Sequence, residues 1–183
     1  MEFRPASIDD VPAITCIYNQ GIEDRIATLE TQTRTERERA EWLASRDDRH
    51  PVFVAAEDGE VVGWASLNVF NPREAYRHVA DFSIYVERSW RGKGVGEFLL
   101  GHLIAEARRI GFHKMVLSAF PFNEQGMRLY AKMGFRTVGV YEEQGMLDGR
   151  WVDTVVMEKL LQERTDFSGG GTECDRSHGV ASG

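Results

Sequence analysis

Between Val11 and Ile22 the apolar residues return every three or four positions: Val11, Ile14, Ile17, Tyr18 and Ile22. That period belongs to a helix with one buried side. Ser7 and Asp10 stand at capping-box spacing just ahead of it and predict its start. Thr35 and Glu38 repeat the spacing before a second helix, with Trp42 and Leu43 on its inner side. The stretch between them, "EDRIATLETQTR", has neither periodicity nor a run of glycines, and reads as an ordered loop suited to a lid. After Pro51 the period drops to two. "VFVAAEDGEVVGWASLNVF" reads as two strands joined at Asp58-Gly59. "HVADFSIYVE" is a further strand, carrying Val79, Phe82, Ile84 and Val86.

The helical period then returns. In "EFLLGHLIAEARRIG" the residues Leu99, Leu100, Leu103, Ile104, Ala107 and Ile110 form one stripe, and Gly111 supplies the stop. "KMVLSAF" reads as a short buried strand, and "NEQGMRLYAKMG" as a helix between an Asn123 cap and Gly134. "FRTVGVY" and "WVDTVVMEKL" close the pattern around a turn at Asp148-Gly149. This order predicts an α+β (mixed α/β) fold, a mostly antiparallel sheet with helices on both faces. Residues 1–162 are expected to form one domain. Residues 163–183 turn polar and Gly-rich and are expected to be a disordered tail.

Composition narrows the partners. The chain has 183 residues, 42% hydrophobic and 28% charged, with a net charge of −7. An acidic chain of this kind argues against nucleic acid or an anionic membrane as partner, so any basic site must be local. "MEFRPASIDD" lacks the character of a signal peptide, and no apolar run approaches a membrane span of ~18 residues. A soluble cytoplasmic protein is expected. Cys16 falls in the apolar helical pattern and is expected to be a buried free thiol. Cys174 and His178 in the tail supply half a metal site at most, and no metal is expected.

The candidate chemistry lies in "WRGKGVGEFLL", where glycines and cations precede an apolar helix. A Walker A loop does not fit, because the spacing around Lys93 is wrong. The dinucleotide fingerprint also fails, since Glu97 stands where its third glycine belongs. What remains is R-x-x-G-x-G between a strand and a helix. Its backbone N–H groups and the helix dipole suit a pyrophosphate, although glycines can also serve a plain strand–helix turn.

With these residues the chain resembles the GCN5-related N-acetyltransferase superfamily, whose acetyl-CoA motif is R-x-x-G-x-G. "NEQGMRLYAKMGF" is similar to that superfamily's second block, about thirty residues downstream. "IYNQGIEDRIATLETQTRT", "NPREAYRHVADFSIYV" and "GRWVDTVVMEKLL" resemble the phosphinothricin N-acetyltransferase group more closely. That group includes enzymes acting on arsinothricin and methionine sulfoximine. They acetylate the α-amino group of small amino acids with a tetrahedral anionic or polar head.

The resemblance implies acetyl-CoA as co-substrate and a small-molecule amine as acceptor. It places the pantetheine arm beside Ile84, Tyr85 and Val86, with Asn123 reaching it from the second helix. It places the pyrophosphate on Gly92, Lys93, Gly94, Val95, Gly96 and Glu97, with charge from Arg91 and Lys93. Asp81 takes the position of the general base, where the family usually has Glu; His78 is a weaker candidate. Tyr130 takes the general acid's position, where phosphinothricin enzymes often carry His. Thr28 and Leu29 in the lid, Arg73 and Tyr76 before the catalytic strand, and Trp151 in the last strand are candidate substrate contacts. In this family such segments close over substrate partly across a dimer interface, which implies a homodimer. Two other readings remain open: acetylation of another amine, such as a protein N-terminus or an aminoglycoside, and a non-catalytic acetyl-CoA-binding regulator.

Overall fold

A computed structural model describes residues 1–162. The expectations for the tail, including Cys174 and His178, lie outside the described residues. The strands are β1 (Glu2–Pro5), β2 (Val52–Glu57), β3 (Glu60–Val69), β4 (Val79–Val86), β5 (Lys114–Ala119), β6 (Arg136–Leu147) and β7 (Arg150–Leu160). They form one sheet in the order β1-β2-β3-β4-β5-β7-β6. Every pairing is antiparallel except that of β4 with β5. The helices are α1 (Val11–Glu23), α2 (Glu36–Ala44), α3 (Val95–Ile110) and α4 (Glu124–Lys132). The mostly antiparallel α+β architecture is the one expected.

Two cores sandwich the sheet. Leu99, Leu100, Leu103 and Ala107 of α3 pack with Phe53, Ala65, Leu67, Phe82, Leu117 and Met157 on one face. On the other, Ile14 and Ile17 of α1 meet Val52, Val54 and Trp64, with Trp42 and Leu43 of α2 packed on them. Arg39 is buried there too, its guanidinium 3.7 Å from the Trp42 ring centre and 4.4 Å from that of Tyr18. Aromatic faces attract a cation that water no longer reaches.

Both capping boxes form. Thr35 Oγ1 accepts from Glu38 N–H, and Thr35 N–H donates to the Glu38 carboxylate. At the first helix the box closes a short 3₁₀ turn, Ile8–Asp10, that leads into α1. Asp10 there accepts two bonds from Arg4, both 2.8 Å, and one from Ser7 N–H at 2.7 Å.

Two details differ from the pattern. Cys16 is exposed rather than buried. The inward stripe of α1 runs through Val11, Ile14, Thr15, Ile17, Gly21 and Ile22, and Cys16 falls outside that arc. The penultimate strand also runs on past Tyr141 to Leu147. Its polar stretch "EEQG" joins the ladder through a bulge between Tyr141 and Gly145, and exposed edge residues carry no hydrophobic alternation to read.

The bond to Arg4, more than any other contact, holds the Asp10 carboxyl at about 2. A depressed carboxylate stabilises the fold above its unfolded pKa of about 3.9, and that stability is lost as pH falls toward 2. Asp10→Asn is expected to cost about 1–2 kcal/mol at pH 7, allowing for the partly exposed Arg4, and only a few tenths of that at pH 2, where the carboxyl is half protonated. Urea unfolding of both proteins across that range checks it.

Candidate active site

The site begins where two strands part. β4 pairs with β3 from Ala80 to Val86. It pairs with β5 only from Val79 to Asp81, opposite Lys114 to Val116. β5 instead follows β7 as far as Ala119. Beyond Asp81 the outer edge of β4 therefore has no strand partner among the described residues. Phe82, the first residue past the pairing, meets Tyr130 of α4 and Phe135, with ring centres 6.0 and 5.4 Å away. These rings pack together on the α3 side of the sheet.

Two cavities flank the gap. The first, about 310 Å³, runs along Ile84, Tyr85 and Val86 to Arg91, Gly92, Gly94, Gly96 and Glu97, with Asn123 and Tyr130 opposite. The second, about 270 Å³, lies under the lid and is lined by Thr28, Leu29, Asp81, Ser83, Ser118, Thr154 and Tyr130, among others. Ala27, Ile84, Tyr85, Asn123 and Tyr130 line both.

The turn into the first cavity is built for close backbone approach. Gly92 and Gly94 adopt φ of 76° and 86°, a region costly to other residues, and Gly94 is the N-cap of α3. Asn123 Oδ1 caps α4 by accepting from Gly126 N–H at 3.0 Å. The cations around this cavity already have carboxylate partners. Arg91 pairs with Asp24 and also donates to Val86 O, while Lys132 pairs with Glu97 and Arg128 with Glu124.

Asp81 lines the second cavity and Tyr130 lines both, and the two differ in protonation. Burial raises the Asp81 carboxyl to about 6, against one lowering bond from Phe82 N–H at 2.6 Å. Burial also raises the Tyr130 hydroxyl to about 12, with the nearby Asp81 charge adding to the shift. At neutral pH the carboxyl is free to take a proton and the phenol holds one to give. Tyr85, stacked 4.8 Å from Trp64, is raised further still by burial and keeps its proton throughout.

Not every candidate reaches the cavities. Lys93 is exposed, its ammonium 5.1 Å from the Trp90 ring centre. The Val95 side chain is buried in the core, which leaves only its backbone for a ligand. Arg73 and Tyr76 lie on a short exposed 3₁₀ turn, and Trp151 is 59% exposed; none of the three lines either cavity. His78 is exposed and its backbone serves β5 instead. Ser83, Ser118 and Thr154 are cavity residues that the motifs did not single out. Strand alternation alone places Ser83 with Asp81, but Ser118 and Thr154 come from other strands.

The acetyltransferase (GNAT) family model matches residues 18–135. The chain belongs to that family. It is accordingly an acetyl-CoA-dependent N-acetyltransferase. It is 35% identical over 164 residues to the L-methionine sulfoximine/L-methionine sulfone acetyltransferase of Salmonella typhimurium, covering 89% of this chain and 96% of that one. The structure of a GNAT superfamily phosphinothricin acetyltransferase from Sinorhizobium meliloti in complex with acetyl-CoA superposes with a TM-score of 0.85 at 32% identity, covering 90% of each chain. A ribosomal-protein-alanine N-acetyltransferase from Brucella melitensis also superposes at 0.85, with 35% identity, over 87% of this chain and 99% of that one.

The first cavity fits the GNAT co-substrate. Side chains are missing where a diphosphate must meet backbone N–H groups, and the unpaired edge of β4 offers hydrogen bonds to an amide-bearing arm. Arg91→Gln removes a cation held against both β4 and the lid. It is expected to raise the acetyl-CoA Kd about tenfold, the scale of one charge-assisted contact, in a calorimetric titration.

Proposed function

We propose that this enzyme acetylates the α-amino group of a small amino acid, or amino-acid antibiotic, with a polar head, in a detoxifying or resistance role. The observation that carries the reading is that Asp81 and Tyr130 line one small, roofed cavity, and that Tyr130 also lines the cavity beside the glycine turn. The roof is the lid. Leu29 packs onto Gly145 of β6 so closely that a Cβ there would stand 2.6 Å from a Leu29 methyl. Arg25 of the lid also pairs with Asp148 at the β6–β7 turn. A roofed cavity of this size suits an amino acid better than an aminoglycoside or a folded protein. The names of the similar sulfoximine and phosphinothricin enzymes support the same substrate class.

In the mechanism acetyl-CoA supplies the activated acetyl group. Ile84, Tyr85 and Val86 orient its arm through the free edge of β4, and Gly92, Gly94, Gly96 and Asn123 hold the rest. Asp81 accepts the proton that the acceptor amine must lose, directly or through a water. Backbone N–H groups of the open β4 edge stabilise negative charge on the reacting carbonyl. Tyr130 donates its Oη proton to the leaving thiolate. The lid excludes water.

Asp81 must be ionised to act, so kcat/KM should fall about tenfold per pH unit below about 6 and level off above it. Asp81→Asn should lower kcat at least ~100-fold and abolish that acid limb. Thiol release from acetyl-CoA is the readout, with L-methionine sulfone, L-phosphinothricin and an alanine-initiated peptide as acceptors. Preference for the peptide would move the function to protein N-termini, and tight acetyl-CoA binding without acceptor-dependent release would make the protein a regulator.

The proposal includes a homodimer. Val138, Val140, Tyr141, Met146 and Trp151 expose large apolar side chains along β6 and the start of β7, each about half exposed or more. A second copy of the chain on this strip would cover them and would offer Arg73, Tyr76 and Trp151 a site they do not reach in their own chain. Tyr141→Glu is expected to shift the sedimentation coefficient from dimer to monomer; an unchanged monomer value for both proteins would refute the dimer.

A further inference from the structure

We infer that Thr154 is the specificity-determining residue of the acceptor cavity, its hydroxyl donating to an oxygen of the acceptor's polar head. The inference rests on the amino-acid reading above.

Strand alternation builds the floor of that cavity. On β4, Phe82 faces the α3 core, so Asp81 and Ser83 face the lid. On β5, Leu117 and Ala119 face α3, so Ser118 faces the lid. On β7, Val155 and Met157 face α3, so Thr154 faces the lid. All four lid-side residues line the acceptor cavity. They form one polar face across three strands, on a sheet whose other face is apolar.

Their hydrogen bonds differ. Asp81 accepts from Phe82 N–H, and Ser83 Oγ accepts from Asn68 Nδ2 at 3.0 Å. Ser118 is exposed, where water can serve it. Thr154 is only 5% exposed, and its Oγ1 has no hydrogen-bond partner among the described residues. A buried hydroxyl left in that state costs about 1–3 kcal/mol. Its neighbours Val152, Val155 and Val156 show that the strand accepts valine on either side, and valine matches threonine in shape. A threonine kept there at that cost is accounted for by a partner that arrives with the substrate.

The chemistry of the cavity sets what that partner is. Among the described residues no lysine or arginine lines it; its polar groups are hydroxyls, the Asn123 amide and the Asp81 carboxyl. Asp81 is committed to the amine, so within its own chain an oxygen on the head is met by neutral donors. A site built to hydrogen-bond an oxygen discriminates strongly against an analogue lacking it, because its own donor is then left unpaired.

The test compares Thr154→Val and Thr154→Ser with the wild-type enzyme, using L-methionine sulfone and L-norleucine as acceptors. Norleucine has similar length and no head oxygen. In Thr154→Val the ratio of kcat/KM for sulfone over norleucine is expected to fall at least tenfold, through the KM for sulfone. Thr154→Ser is expected to restore the ratio to within about threefold of wild type. An unchanged ratio in Thr154→Val, or equal losses in both variants, would overturn the inference and leave the amino-acid reading standing. A wild-type enzyme that acetylates neither acceptor would overturn both. The melting temperature of each variant separates misfolding from lost recognition; Thr154→Val should fold at least as well as wild type, since it removes an unpaired buried hydroxyl.

Discussion

The separation of β4 from β5 after Asp81 is the constraint on which the site depends. A continuous sheet would use both edges of β4 in its own ladder. Parting the strands frees one edge for an extended ligand and opens a path between the two faces. Asp81 lies on the lid face of β4, while Tyr130 packs with the α3 face, so without the gap the sheet would stand between them. Phe82, Tyr130 and Phe135 pack together on the α3 side where the pairing ends, and aromatic rings bury well where no backbone pairing is available.

Charge is distributed to serve this arrangement. The chain carries −7 overall, yet its cofactor cavity is lined by Arg91, Arg128 and Lys132. Acidic partners hold each of them in place: Asp24 orients Arg91, and Arg88 joins the same carboxylate. Asp24 ends α1 and begins the lid, so one ion-pair cluster ties the glycine turn before α3 to the lid over the second cavity. On the far side the lid rests on β6 through Leu29 and Gly145. Both ends of the roof are thus anchored to elements that shape the two cavities.

Much of this was legible because it is local. The capping boxes, the apolar stripes of α1 and α3 and the turn glycines each act through neighbours within a few residues, and each formed as read. Asp81 and Tyr130 could be named because the family motifs fix their positions. Cys16 was misjudged because a hydrophobic neighbourhood in sequence does not set which arc of a helix faces inward. β6 was read too short because the polar run "EEQG" after Tyr141 interrupts its apolar residues. Arg73, Tyr76 and Trp151 carried motif signals, yet they lie away from the cavities of their own chain.

The sequence by itself determined the order of elements, the fold class and the glycine turn before α3. Helix periodicity, caps and left-handed glycines are properties of short stretches. Only the tertiary structure decided where β4 lost its partner, which polar residues shared the lid-side face, and that Thr154 sat there with its hydroxyl unpaired. Those facts depend on register between strands far apart in the chain. Burial and electrostatics depend on that register in turn. Asp81 reads as an ordinary strand aspartate until the fold removes water from it and lifts its carboxyl to about 6.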